Sequence, residues 1–184
     1  FPTRRSSDLA VAGTQAQSIY QQSHAYPARS QFDGVNAVHF NSASGENLGF
    51  GVIAVTEATY YLSSGQIAET DITFNDLAYL FTNQVGDTGR NIGGRTAIYL
   101  RDVATHEAGH AFGLDHSNVN LSSLIYTAFN GQFSLSEDDR SGIRTAYPSV
   151  GGGGVFRGQV RGQNGGIFGT HVAAIHLADG VVQA

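Results

Sequence analysis

Four residues near the middle of the chain have the types and spacing that metal-assisted hydrolysis requires. Glu107 follows His106, His110 lies four positions after His106, and His116 comes six residues later. On a helix, residues four apart project from one face, so two imidazoles can reach the same ion. Three protein ligands at about 2.0–2.1 Å leave a fourth zinc position open for chemistry. The spacing therefore predicts a catalytic zinc site with His106, His110 and His116 as ligands and Glu107 as general base.

Gly113 lies where the chain must leave the helix before it can return to the metal. Because glycine lacks a Cβ, it adopts a positive φ angle at little cost and turns the chain sharply. That turn would bring His116 back as third ligand. We expect the helix to run from about Thr96, its N-cap, to Ala111. Its expected buried face comprises Leu100, Val103, Ala104, Ala108 and Ala111.

The elements on either side of this helix are indicated by apolar periodicity and by turn residues. The patterns predict strands at 35–40, 49–55, 58–62 and 67–74. Residues 10–25 fit a helix that ends before Pro27, and residues 82–95 form a polar, Gly-rich loop. Ser136 to Asp139 is typical of a capping box that opens a last helix, which Pro148 closes.

Composition and charge narrow the classes of partner. Hydrophobic residues make up 41% of the 184 residues, and the net charge is −5 without a basic cluster. This balance argues against nucleic acid and against an anionic membrane surface as partners. No apolar run approaches the roughly 20 residues that span a bilayer. Cys is absent, so a metal site must use His and carboxylates.

The two ends of the chain differ in character from its centre. Residues 1–9 read FPTRRSSDL, which resembles a translated sequencing adapter, so we interpret them as a non-native leader. With no Met in the chain, we expect the natural start to be missing. Residues 149–154 predict a Gly-rich linker. Residues 155–184 have the strand–turn–strand pattern that opens a second β-sandwich module, too short to bury a core alone.

Residues 106–116 read HEAGHAFGLDH, and this HExxHxxGxxH pattern resembles the metzincin clan of zinc endopeptidases. Ser117 after the third His is similar to the matrixins, the matrix-metalloprotease-like branch. The stretches DGVNAVHF, GQIAETDITFN, SSLIYTAF and LSEDDRSGIRTAYP resemble the same branch, over about residues 10–148. The resemblance implies an α+β fold: a twisted mixed sheet, an active-site helix and a C-terminal helix. It also implies a zinc-dependent metalloendopeptidase acting on extracellular proteins.

The sequence departs from the matrixin pattern in three places. Ile125 stands where the family's Met-turn has Met, and such apolar swaps usually cost less than about 1.5 kcal/mol. No His-x-Asp element matches the family's structural zinc loop, so we expect one zinc. Calcium is left undecided, with Asp71 and Asp87 as candidates. The family's first strand is missing before residue 10, so the sheet would keep an unpaired edge.

Further expectations follow from the same resemblance. The substrate would be a protein or peptide, extended between the sheet's edge strand and the loop after His116. We expect a monomer, secreted by or attached to the surface of a bacterium. Residues 155–184 resemble the start of a carboxypeptidase-regulatory-like domain, through GQV and GTHVAAIHL.

Two other functions stay open. Ile125 and the missing strand are the reasons to consider a zinc-binding pseudo-protease or adhesion module without turnover. Glu107 argues against this reading, because binding alone needs no general base. The third alternative is a zinc hydrolase that does not cleave peptide bonds. The third His argues against it, because a His at this spacing is typical of endopeptidases.

Overall fold

The computed structural model describes residues 32–49, 51–117 and 133–147, and four two-residue strands farther along the chain. The chain divides into two compact units. One spans Gln21–Asp139 and holds all the predicted site residues. The other contains the described residues from Arg140 onward. Within the described ranges, no helix has the length and apolar character that crossing a membrane requires.

The first sheet has three strands in the order β1-β3-β2. They are β1 (Val38–Phe40), β2 (Ala54–Tyr60) and β3 (Ile67–Phe74). The central strand, β3, is parallel to β1 and antiparallel to β2. Because it has a neighbour on each side, β3 is buried from residue 69 to its end, whereas the second half of β2 is exposed. A short helix, α1 (Asn41–Ser44), follows β1 directly.

The second sheet is smaller and leads straight into the predicted active-site helix. Its strands are ordered β4-β6-β5, with β4 at Tyr79–Thr82, β5 at Asn91–Ile92 and β6 at Arg95–Tyr99. A 3₁₀ turn lies at Val85–Asp87. The helix α2 (Leu100–Ala111) begins at the residue after β6. Both sheets mix parallel and antiparallel pairs, in agreement with the predicted α+β class.

A compact apolar cluster joins both sheets to α2. Ile72 and Phe74 of β3, Ile98 of β6 and Val103 of α2 are all buried. Phe81 packs edge-on against Phe74, with ring centroids 5.2 Å apart. Leu100, Ala104 and Ala111 pack against this cluster as predicted. The cluster fixes the apolar side of α2, so the positions of its polar side chains are set by the core.

The active-site helix begins four residues later than predicted. Thr96 is not its N-cap but lies in β6, where it pairs with Tyr79 on one side and Asn91 on the other. Tyr99 occupies the N-cap position, and within this described segment no side chain caps the helix start. Hydrogen bonds to two neighbouring strands outweigh the local preference of Thr for an N-cap.

Two other predictions about the strands were wrong. Residues 49–55 and 58–62 do not form separate strands, because the single strand β2 runs through the polar pair Thr56 and Glu57. Glu57 lies on the exposed face of this edge strand, and Thr56, on the opposite face, hydrogen-bonds to Glu107, so the polar pair does not interrupt the strand. The loop predicted at 82–95 contains the 3₁₀ turn and β5. β3, in contrast, has the predicted bounds.

The last helix described, α3 (Glu137–Ala146), starts as predicted. The Ser136 N–H donates to Asp139 Oδ2 over 2.7 Å, and the Asp139 N–H donates to Ser136 Oγ over 3.3 Å. This reciprocal pair confirms the capping box. Pro148, the predicted helix at 10–25, the leader and the linker lie outside the described residues.

The carboxy-terminal region contains two short antiparallel strand pairs. β7 (Arg161–Gly162) pairs with β8 (Gly165–Gly166), and β9 (Ala174–Ile175) pairs with β10 (Val182–Gln183). These pairs agree with strand–turn–strand patterning. The β-sandwich and its resemblance to a carboxypeptidase-regulatory-like domain stay predictions.

Candidate metal centre

The three histidines singled out by their spacing converge on one point. The Nε2 atoms of His106 and His110 are 3.1 Å apart, and each lies 3.2 Å from Nε2 of His116. His106 is buried, His110 is half-buried and His116 is exposed. The cluster therefore has a closed side within the protein and an open side toward solvent.

The size of this triangle suits a zinc ion. Ligand nitrogens at about 2.0–2.1 Å from a tetrahedral zinc lie roughly 3.3–3.4 Å from one another. The observed separations of 3.1–3.2 Å are within a few tenths of an ångström of that value. Among the described residues, these three form the one group of His, Cys, Asp or Glu side chains close enough to share an ion.

A hydrogen bond from His110 fixes the tautomer that metal binding requires. Its Nδ1 lies 2.8 Å from the carbonyl oxygen of Leu114, which can only accept. Nδ1 therefore carries the proton and donates it, so Nε2 of the neutral ring presents a lone pair to the cluster. Such a partner on the far ring nitrogen is the usual support of a zinc-binding imidazole.

The turn after α2 brings the third imidazole to the other two. Gly113 has φ +82°, a left-handed conformation that glycine adopts without strain. Its N–H donates to the His110 carbonyl over 2.8 Å, and the Leu114 N–H donates to the Gly109 carbonyl over 3.1 Å. These bonds end the helix. The chain then doubles back and reaches His116 within three residues.

Two further contacts hold His116 and its neighbour. The Asp115 carboxylate accepts the His116 backbone N–H over 2.7 Å, as expected of a turn residue. The Ser117 hydroxyl donates to Asp138 Oδ2 over 2.7 Å, which links the loop to the first turn of α3.

Desolvation and the adjacent His110 lower the pKa of His116, against an opposing effect of Asp115. A lowered pKa favours the neutral imidazole, the form that binds metal.

Glu107 lies beside the cluster on α2 and is almost fully buried, with 4% of its surface exposed. Burial raises the pKa of its carboxyl above 4.5, while a hydrogen bond from Thr56 and the charge of His110 act in the opposite direction. The Thr56 hydroxyl lies 2.7 Å from Oε2 of Glu107. A buried carboxylate with a raised pKa, next to three imidazoles that could hold a metal, is suited to taking a proton from water.

The two residues considered as calcium ligands, Asp71 and Asp87, make contacts with other protein groups. Asp71 is buried in β3, where Oδ1 accepts the N–H of Ala37 over 2.9 Å. Asp87 forms an ion pair with Arg90 over 2.6 Å. In the described part of the chain neither belongs to a group of three metal-ligating side chains, and we propose no calcium site. Ile125 lies outside the described residues.

Sequence reasoning missed three supports of this site: the hydroxyl of Thr56, the carbonyl of Leu114 and the carboxylate of Asp138. Thr56 and Glu107 are 51 positions apart, and Ser117 and Asp138 are 21 apart. No local pattern marks such pairs, because they depend on how strands and helices pack. The Leu114 carbonyl could have been found, since a chain that turns at Gly113 must pass close to His110.

Comparisons with known proteins agree with this geometry. The Matrixin family model matches residues 12–148. The hatching enzyme of Paracentrotus lividus is 45% identical over 65 residues, which cover 34% of this chain and 11% of that enzyme. Matrilysin of Rattus norvegicus is 49% identical over 49 residues, 24% of this chain and 18% of the relative. Metalloendoproteinase 5-MMP of Arabidopsis thaliana is 38% identical over 65 residues, 32% of this chain and 18% of the relative.

The extent of these matches decides what they establish. Each aligned segment covers less than a fifth of the relative's length, so it does not carry over the activity of the whole relative. The family match is broader, because it spans most of the chain and includes both sheets, the helix α2 and the turn that returns His116. On this match the chain belongs to the matrixin family of metzincin metalloproteases.

Proposed function

We propose that this chain is a zinc-dependent metalloendopeptidase that hydrolyses peptide bonds of extracellular proteins. One observation carries the proposal: three imidazole Nε2 atoms converge within 3.2 Å next to a buried glutamate. Binding a metal would need the imidazoles alone, whereas a buried carboxylate beside them supplies the base for hydrolysis. The matrixin match supports the same reaction class.

In this proposal His106, His110 and His116 hold the metal and Glu107 moves the protons. When bound, zinc supplies Lewis-acid chemistry, which polarises the scissile carbonyl and acidifies water. Glu107 takes a proton from the attacking water. It then passes this proton to the amine that leaves as the C–N bond breaks. The raised pKa of Glu107 suits the first step, because a carboxylate with a low pKa is a weak base and takes a proton poorly.

The substrate is proposed to bind in extended form along the edge strand β2. β2 pairs with β3 on one side, and within the described sheet its other edge has no strand neighbour. An extended peptide can add to such an edge through backbone hydrogen bonds. Because Thr56 of β2 contacts Glu107, a peptide on this edge would pass beside the histidine cluster.

The test of the proposed function combines metal content with turnover of an unselective substrate. Elemental analysis of the 184-residue chain should give one zinc per chain. The chain should cleave denatured casein, and a chelator should abolish cleavage until zinc is restored. Glu107→Gln should keep the zinc and lower the cleavage rate by roughly 10²-fold or more. Glu137→Gln, at an exposed position in α3, is the matched control and should cleave normally.

Two results would separate the alternatives. Zinc without cleavage of casein, and no difference between wild type and Glu107→Gln in any assay, would support the pseudo-protease or adhesion module. Absence of zinc would refute the metal site and the function with it. No contact among the described residues favours the alternative, because the residues that motivated it lie outside them.

Localisation and assembly are also proposals. We propose action outside the cell, for a secreted or surface-attached bacterial protein. Support comes from the matrixin match and from the low content of charged residues, 14%. Antibody detection in the medium, the cell-surface fraction and the lysate of an expressing bacterium would test this. The expectation of a monomer is tested by light scattering of the purified chain.

A further inference from the structure

The hydroxyl of Thr56 makes a contact with the general base that the reaction described so far does not use. Thr56 Oγ1 lies 2.7 Å from Glu107 Oε2 and 3.1 Å from the backbone carbonyl oxygen of Glu107. Both partners are acceptors, so the hydroxyl is the donor. Since the carboxylate is the closer of the two, the proton is shared mainly with Oε2.

Thr56 offers a rigid support for this contact. It lies in the middle of β2 and pairs with Ile72, a residue of the buried core. Ala54, two residues earlier and therefore on the same face of β2, packs against that core. Because Thr is branched at Cβ, its side chain has few rotamers and holds the hydroxyl in place. The donor therefore belongs to the sheet and not to the helix that carries the base.

The contact engages one carboxylate oxygen of Glu107 and leaves the other for chemistry. In the described part of the chain, no hydrogen bond reaches Oε1. Glu has three rotatable side-chain bonds, and a carboxylate held at a single oxygen cannot rotate freely about the last of them. Fixing this rotation matters, because proton transfer depends on heavy-atom separations of about 2.6–3.2 Å.

We propose that Thr56 is a positioning residue for catalysis: its hydroxyl holds Oε2 of Glu107 so that Oε1 meets the attacking water in a fixed orientation. This inference rests on the proposed function, since it assigns Thr56 a part in that reaction. It gives β2 a second part besides binding substrate, because the same strand would also orient the base. The competing explanation is that Thr56 only stabilises a buried carboxylate.

The test compares three substitutions in the full chain with a fluorescence-quenched peptide copied from a casein bond that the wild type cleaves. Thr56→Val removes the hydroxyl but keeps the branched shape, and kcat should fall about 10- to 100-fold at nearly unchanged KM. Thr56→Ser restores a hydroxyl and should stay within about threefold of wild type. Thr96→Val, at an exposed position in β6, is the control and should have normal kcat.

A second readout needs no turnover. In the metal-free chain, Thr56→Val should lower the melting temperature by about 3 °C or more, because a buried carboxylate loses its donor. In the Glu107→Leu background the same substitution should lower it by less than about 1 °C, since no carboxylate remains. This cycle tests the contact itself, independently of metal and substrate.

Each combination of results has one meaning. A fall in kcat for Thr56→Val, with rescue by Thr56→Ser, supports the positioning role. Unchanged kcat for Thr56→Val overturns it, even with a lower melting temperature, and leaves Thr56 a structural residue. Equal loss in Thr56→Val and Thr56→Ser also overturns it, because the hydroxyl would not be the cause. If the wild type has no chelator-sensitive turnover, the proposed function fails and the positioning role is refuted with it, whereas the stability cycle still reports on the contact.

Discussion

At the scale of single residues, Glu107 combines burial with an ionisable group, and this combination has a thermodynamic consequence. Burial raises the pKa of Glu107 in the folded chain above its ordinary value of 4.5. The folded state therefore binds this proton more tightly than the unfolded state does. The stabilisation that comes from this tighter proton binding is fully present below the pKa of Glu107 in the unfolded chain. It is lost as the pH rises through the pKa of Glu107 in the folded chain. At neutral pH the ionised carboxylate should thus lower the stability of the metal-free chain.

The substitution Glu107→Gln should remove this pH dependence. We expect the metal-free variant to melt higher than the wild type at pH 7–8, and the difference to shrink as the pH falls through the raised pKa of folded Glu107 toward the ordinary value of 4.5. Differential scanning fluorimetry from pH 4 to pH 8 measures the trend. Glu137→Gln, at an exposed position, should give a nearly constant difference. A constant difference for Glu107→Gln as well would contradict the inferred effect of burial.

Single residues also show which parts of the site could be predicted from the sequence. His106, Glu107 and His110 lie on one helix, so their relative placement follows from helix geometry alone. His116 follows from one glycine turn. Thr56 could not be predicted, because its contact with Glu107 depends on β2 packing against α2 across 51 positions. The relative placement of these local side chains was therefore predictable, whereas their contacts with other elements were not.

At the scale of elements, the end of α2 is constrained in two ways at Gly113. Its φ angle is +82°, and a Cβ at this position would lie 3.1 Å from Cδ1 of Ile67. A non-glycine residue in the left-handed conformation costs roughly 1–2 kcal/mol. Gly113→Ala should therefore lower stability by about that amount. It should also weaken zinc binding about tenfold or more, because the turn places His116.

Competition against a chromophoric chelator measures this zinc affinity, and urea unfolding measures the stability. Gly86→Ala is the control, since Gly86 lacks a positive φ and has open space around its Cβ position. It should change neither quantity by a measurable amount. Adding Ile67→Val removes the Cδ1 atom and should recover part of the loss in Gly113→Ala. Normal zinc affinity in Gly113→Ala would show that the turn does not position His116.

The start of α3 gives a second prediction at this scale. Ser136→Ala removes the hydroxyl that accepts the Asp139 N–H and donates to Asp139 Oδ2. Loss of such a cap should cost about 1 kcal/mol of unfolding free energy, measured in urea. Ser134→Ala, at an exposed position before the helix, should cost less than about 0.5 kcal/mol. Equal effects of the two substitutions would argue against the capping box.

The helices and strands also differ in how well sequence patterns predicted them. The capping box and β3 were predicted correctly, because a short local pattern specifies each of them. The start of α2 was not, since Thr96 has the chemistry of an N-cap but lies between two paired strands. β4 and β6 pair in parallel, although the 3₁₀ turn and β5 lie between them in the chain. Pairing partners are tertiary information, which periodicity does not contain.

At the scale of the whole molecule, the site links helices and loops of the larger unit through contacts that add to those of the apolar core. The histidine cluster joins α2 to the loop after it, and Ser117 joins that loop to the start of α3 through Asp138. Bringing three imidazole nitrogens within 3.2 Å is unfavourable without a shared cation. Metal binding should therefore stabilise the fold as a whole, in addition to enabling chemistry.

Zinc should raise the melting temperature of the wild-type chain, because a ligand that binds the folded state stabilises it by mass action. At a free zinc concentration 100-fold above Kd the gain is about 2.7 kcal/mol, or roughly 5–10 °C for a chain of this size. His110→Ala should abolish this zinc-dependent rise. His39→Asn is the control: His39 is buried in the first sheet outside the cluster, so the variant should keep the rise whatever its starting stability. Fluorimetry at several zinc concentrations measures all three chains, and an equal rise in His110→Ala would place the stabilising metal elsewhere.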